Sequence, residues 1–182
     1  YANKINVSVD GNRIIVSDNG RGIPQDKIFD ETSGEEILRP VAAWTKVNAG
    51  TSFDDERVTI GTNGVGSAAT NFLSTQFIGK TWSNGNLVEV KCKDGAETID
   101  ITNKQKDGNG TEVAFVADFN LFEVDSLEEL DTVSLIEDRL ISLQMAFPEI
   151  AFSFNKRRVK VSDLKKYAAL FSDNTIIEKS DN

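Results

Sequence analysis

Ser17-Asp18-Asn19-Gly20-Arg21-Gly22-Ile23-Pro24 decides how this chain is read. It directly follows Arg13-Ile14-Ile15-Val16, whose residue types predict a β-strand. The strand delivers one carboxylate, Asp18, into a turn. Gly20 and Gly22 let that turn reach φ > 0 and come close to a planar ligand, and Pro24 stiffens its exit. Asp and Gly also build ordinary surface turns after strands, so from this stretch alone a pocket floor and a plain turn both remain open.

A second stretch shifts the balance. Gly61-Thr62-Asn63-Gly64-Val65-Gly66 runs straight into Ser67-Ala68-Ala69-Thr70-Asn71-Phe72-Leu73-Ser74, which has a helical pattern. A glycine loop entering a helix is suited to anions. The first-turn N–H groups are free, the helix dipole adds partial positive charge, and glycines leave room for a phosphate. One stretch then takes a base and the other takes phosphates.

At these residues the chain resembles the ATP-binding fold shared by type II topoisomerases, Hsp90 chaperones, MutL repair proteins and histidine kinases. Asp18 to Pro24 is similar to its adenine stretch, Gly61 to Gly66 to its phosphate lid, and Gly110-Thr111-Glu112-Val113-Ala114-Phe115 to the strand that closes the adenine pocket. Arg21 to Pro24 and Phe53-Asp54-Asp55 look like the topoisomerase branch. Ala2 to Val7 and Pro40 to Thr45 look like its phage-type large subunits.

The resemblance implies an ATPase that uses ATP and magnesium as a nucleotide-driven gate for DNA strand passage. It also implies a homodimer of the large subunit joined by other topoisomerase subunits, DNA held by other parts of the parent protein, and a cytoplasmic location, the bacterial host's if the protein is phage-encoded. Asp18 would accept a hydrogen bond from the adenine amine, which guanine lacks at that position. Thr111 would support it, Gly20 and Gly22 would form the floor, and Ile23 and Pro24 would pack on the base. Asn63, Gly64, Val65 and Gly66 would give N–H groups to the phosphates, with Gly61 and Thr62 in the same lid.

Two departures stand out: Ile60-Gly61 replaces the family's paired glycines, and Ser52 stands where bacterial relatives carry a lysine, a charge that Arg57 could supply. In the family, a helix before the first hairpin carries the catalytic Glu and a magnesium-holding Asn, and the resemblance places that Glu upstream of Tyr1. No catalytic or metal residue is therefore assigned here, and residues 1–182 are expected to be a single ATP-binding domain lacking that helix. Alone it is expected to bind nucleotide weakly without turnover. The alternatives are a MutL-like or chaperone-type ATPase, or a non-catalytic nucleotide-sensing interaction module.

Composition narrows the chemistry. A net charge of −9 argues against a surface that wraps nucleic acid by charge alone. With no histidine, a Ser-His-Asp triad, a Cys-His dyad or a His-ligated metal cannot be built from these residues. The single cysteine, Cys92, reads as a half-buried strand thiol in a reducing setting. No apolar run is long enough to span a membrane.

The expected fold class is α+β, a two-layer sandwich whose mixed, largely antiparallel sheet carries helices on one face. Hairpin strands are predicted over 5–9 and 13–17, further strands over 76–82, 87–92, 97–101 and 111–116, and a short one over 151–154 paired with 159–161. Residues 25–34 read as a loop, 35–44 as helical with the helix proper over about 40–48, and 48–59 as a functional lid. A long helix is predicted from Ser126, boxed by Glu129 and buried along its Leu stripe and Met145, with a last helix over 164–171. Lys156, Arg157, Arg158, Lys160, Lys165 and Lys166 form the basic cluster, read as a solvated face, as are the acids Asp54, Asp55 and Glu56.

Overall fold

A computed structural model describes residues 2–47, 65–96 and 98–160. The lid with Gly61 to Gly64, its acids and Arg57, and the final helix lie outside the described residues. So does Tyr1, the residue before which the resemblance places the catalytic Glu, and that placement stays an expectation.

The strands are β1 (Lys4–Asp10), β2 (Arg13–Asp18), β3 (Lys27–Asp30), β4 (Glu35–Leu38), β5 (Ser74–Ser83), β6 (Asn86–Lys93), β7 (Thr98–Gln105), β8 (Gly110–Ala117), β9 (Ala151–Phe154) and β10 (Arg157–Arg158). The helices are α1 (Arg39–Thr45), α2 (Gly66–Phe72), α3 (Phe119–Phe122) and α4 (Thr132–Ala146). Eight strands form one sheet in the order β10-β9-β1-β2-β8-β5-β6-β7. Neighbours are antiparallel except β1 and β9, which run parallel. This is the mixed, largely antiparallel α+β sandwich expected.

Directly paired residues share a sheet face, so register defines the two sides. Val7, Val16, Val113, Gly79, Val90 and Ile101 lie in one row across six strands. Val9, Ile14, Phe115, Phe77, Cys92 and Ile99 make the next row on the same side. Both hydrophobic clusters sit there. One joins Val41 and Trp44 of α1 to Phe77, Val88, Val90 and Cys92; the other joins Leu140 of α4 to Val7, Phe152 and Phe154. The helices therefore cover one face.

The opposite face is mixed, with Ile15, Ala114 and Ile78 in one row and charged residues in the next. Glu112, Lys80, Glu89 and Thr102 follow one another across β8, β5, β6 and β7. Lys80 reaches Glu112 at 2.7 Å, and Lys91 and Lys104 reach Glu89 at 3.3 and 3.7 Å. Burial pushes the Glu89 carboxyl up, but the hydrogen bond and charge of Lys91, with Lys104 and Lys80, outweigh it and hold it below the usual range.

Several expectations are corrected. Residues 25–34 are not wholly loop and 35–38 are not helical, because β3 and β4 form a hairpin of their own. Its turn is held by Asp30, which accepts from the Thr32 amide at 3.1 Å and the Ser33 hydroxyl at 2.8 Å, with Gly34 at φ 73°. Helix α1 begins just before Pro40, a favoured early position, and stops at Thr45. The capping box at Ser126 does not form. Asp125 instead donates to Glu129 at 3.1 Å, and Leu127 donates its amide to Asn12 of the first hairpin at 3.2 Å. That long-range tether holds residues 127–131 in turns and delays α4 to Thr132. The Leu stripe is only partly core: Leu140 is buried, while Leu130, Val133 and Leu135 are exposed. Cys92 is fully buried, deeper than expected, and the pairing placed at 159–161 falls to β10 with Val159 donating to the Phe152 carbonyl.

Candidate functional site

The end of β2 places Asp18 opposite Thr111 of β8, and Thr111 opposite Thr81 of β5. All three belong to the face covered by helices, in the row beyond Val16, Val113 and Gly79. Asp18 is half-buried, and its Oδ1 accepts the Gly20 amide at 2.7 Å, a turn that fixes the carboxylate. Among the described residues Oδ2 has no partner, so it remains an acceptor for a ligand.

Loop 19–26 is tied down along its length. Asn19 Oδ1 accepts the amides of Asn3 and Lys4 at 3.1 and 2.9 Å, and its amide group donates to Asn3 Oδ1 at 2.8 Å. Ile23 donates its amide to Thr81 Oγ1 at 2.6 Å, and Thr81 in turn donates to the Gly110 carbonyl at 3.4 Å. Gln25 donates to the Asn86 carbonyl at 3.0 Å. Asp26 accepts two hydrogen bonds from Arg39 at 2.7 and 2.5 Å. The guanidinium holds the Asp26 carboxyl below its usual range. Sheet and helix α1 thus fix the floor from both ends.

Gly22 takes the positive φ expected of the loop and Gly20 does not, and it is Gly22 and Gly110 that are required sterically. Gly22 has φ 76°, and a Cβ there would lie 2.7 Å from the Trp82 carbonyl and 3.0 Å from Thr81 Oγ1. A Cβ on Gly110 would lie 2.4 Å from the Asp18 carbonyl. The loop therefore lies directly against β5 and β8.

Val65 and Gly66 open helix α2, both exposed, and a Cβ at Gly66 would meet nothing within 4 Å. Helix α2 is fastened to α1: Ser67 donates to the Ala43 carbonyl at 2.7 Å, and buried Asn71 donates to the Trp44 carbonyl at 2.9 Å, satisfying a free carbonyl near the end of α1. Trp44 packs in the same cluster as Ile23. Asp18, Gly20, Gly22 and Thr111 are thus brought together, Ile23 is packed behind them, and Val65 and Gly66 connect to them through α1. Pro24 is exposed.

Sequence reasoning missed Thr81, Asn19 and the Asp26–Arg39 pair. Thr81, fully buried, binds Ile23 of the loop to β5. A β-branched residue in a strand gives no signal of such a role. Among the described residues no group of His, Cys, Asp and Glu could hold a metal ion, and no helix is long and apolar enough to cross a membrane.

No protein-family model matches the chain. Relatives and solved structures do. The chain belongs to the type II DNA topoisomerases, as an ATPase domain of the GHKL class. In particular, it is 43% identical, over all of its length, to the DNA topoisomerase large subunit of Enterobacteria phage T4, of which it covers 35%. Over 92% of its length it is 28% identical to DNA topoisomerase 2 of Pisum sativum, covering 12% of that protein. Its fold matches the ATPase region of Saccharomyces cerevisiae topoisomerase II with a TM-score of 0.77 at 24% identity, over 93% of this chain and 46% of the other. The chain spans about a third of the length of its phage T4 relative.

Proposed function

We propose that this domain binds ATP, with adenine on the Asp18–Thr111–Thr81 row and phosphates toward the start of α2, and that nucleotide binding drives a gate for DNA strand passage in the parent protein. The observation that carries this is Asp18: its carboxylate is fixed through Oδ1, with Oδ2 left to accept the amine of adenine. The glycine approach at Gly22 and Gly110 supports the same reading, since it keeps side chains out of the floor. The phosphate-side residues Gly61, Thr62, Asn63 and Gly64 belong to the proposal by resemblance.

Binding and base selection are what these residues support. Asp18 orients the purine, Thr81 and Gly110 hold the loop beneath it, and the N–H groups at Val65 and Gly66 offer positive partial charge to phosphate oxygens. Magnesium finds no ligand cluster among the described residues, and no step is assigned to it. The parent protein is proposed to dimerise through this gate and to work with other topoisomerase subunits, with DNA as its substrate.

Calorimetric titration with ATP, an unhydrolysable analogue and GTP tests the reading. ATP should bind in preference to GTP, and Asp18→Asn should weaken ATP about 10- to 100-fold, the worth of one hydrogen bond to a charged group. Equal binding of ATP and GTP by a folded chain would refute the assignment. Nucleotide-dependent dimerisation of the longer protein favours the gate, and binding without it favours a sensor.

A further inference from the structure

The chain carries a net charge of −9, yet Lys156, Arg157, Arg158 and Lys160 stand within five residues of one another. They lie on and beside the hairpin of β9 and β10, at the edge of the sheet. Asn155 and Lys156 form its turn, both at positive φ, 46° and 68°, as a tight two-residue hairpin requires. The turn is fastened to β1: the Asn155 amide donates to the Val7 carbonyl at 3.0 Å, and its side-chain oxygen accepts the Val9 amide at 3.0 Å. The cations are displayed on rigid backbone.

All four are exposed, and among the described residues none has an ion pair or side-chain hydrogen bond. Elsewhere Lys27, Arg39, Lys46, Lys80, Lys91 and Lys104 are paired with acids. Arg157, Arg158 and Lys160 also line a cleft of about 410 Å³ against α4, where Glu137 is the one carboxylate among the described lining residues. Such crowding of like charge raises the free energy of the unbound hairpin, and a polyanion relieves it. The acidic remainder of the chain matters little at this range, because the Debye length at physiological salt is about 8 Å. Edge strands do use charge to block pairing with other sheets, but a two-residue strand needs little such protection and the cations extend beyond it on both sides.

We propose that this hairpin is a contact site for the phosphodiester backbone of duplex DNA. Guanidinium groups match phosphate oxygens in pairs, and lysines add point charge, so the contact is independent of base sequence. DNA is chosen over an acidic protein on the strength of the strand-passage function proposed above. The inference rests on that reading, but places on this domain a contact that the resemblance assigned to other parts of the protein.

Fluorescence anisotropy of the 182-residue chain with a labelled duplex, over a salt series, is the test. Three to four phosphate contacts predict that log K falls with log salt with a slope of about −2.7 to −3.6. R157Q/R158Q should weaken binding at least about tenfold at low salt and reduce the slope by about 1.8. On the unsubstituted chain, DNA should slow acetylation of Lys156 and Lys160 but not of Lys27, read by mass spectrometry. Absence of DNA binding at low salt, unchanged binding by the variant, or unprotected Lys156 and Lys160 overturns the proposal. Aggregation of the variant with DNA affinity intact also overturns it and assigns the charges to edge protection. ATP titration of both proteins separates the two claims: lost ATP binding with DNA binding intact counts against the nucleotide site alone, and the reverse counts against the hairpin alone.

Discussion

The Trp44 indole fills the space in which a side chain at residue 79 would begin: a Cβ on Gly79 would lie 2.6 Å from its ring carbons. Trp44 is 2% exposed and meets Phe77 with ring centroids 6.2 Å apart at 60°. A glycine in mid-strand normally weakens a sheet. Here it lets the largest side chain of α1 rest on the sheet backbone, and so sets how close the helix layer comes to the site.

Gly79→Ala should therefore destabilise the domain by about 1–3 kcal/mol through overpacking. Trp44→Ala alone should cost about 3–5 kcal/mol. In the Trp44→Ala background the alanine at 79 should cost little, because its clash is gone. Urea unfolding of all four proteins checks this cycle, and additive losses would show that the two residues do not share the space.

Thr81→Val keeps the shape of the side chain and removes the oxygen that accepts from Ile23. A stability loss of about 1–3 kcal/mol is expected for the stranded amide, together with weaker ATP binding as the loop loosens. Thr81→Ser should restore most of both. Serine behaving no better than valine would separate the loop from that hydroxyl.

Gly22→Ala forces a side chain onto the Trp82 carbonyl at a positive φ. The loop must leave β5 to accept it, so ATP affinity should fall at least about tenfold, the equivalent of 1.4 kcal/mol of binding energy. Gly34→Ala, also at positive φ but with open space around it, is the control: strained backbone, unchanged nucleotide binding.

Acid stability should report Asp30. Lys46, 2.7 Å away, and then Ser33 hold its carboxyl down to about 2, from an ordinary 3.8. Because the folded-state value is the lower one, its contribution is complete above the ordinary value and is lost as pH falls toward 2. Asp30→Asn should lower the melting temperature near neutral pH, with the difference from the parent closing between about pH 4 and 2. A constant difference across that range would mean that the turn depends on shape rather than charge.

The parts of the fold and site that could be read in advance share a local cause. Asp18 and its glycines follow a strand directly, and Thr111 follows Gly110 at the start of another, so strand ends and turn chemistry reveal them. Register then brings the two together. What escaped was decided by partners outside the stretch being read. Glu35 to Leu38 contains good helix formers, but the turn organised by Asp30 and its pairing with 27–30 override that preference. Ser126 has the right spacing for a cap, yet the tether from Leu127 to Asn12 governs the backbone there. Thr81 was invisible because its partner, the Ile23 amide, lies 58 positions away.

The parallel pairing of β1 with β9 has a consequence in time. Lys4 to Val7 are among the first residues described, and their partners are Ala151 to Phe154. During synthesis β1 can join β2 at once, but its other edge stays open until Ala151 to Phe154 have left the ribosome. Closing so long a loop is slow. Until the hairpin of β9 and β10 arrives, the growing chain carries an unsatisfied strand edge on β1, which leaves it open to aggregation.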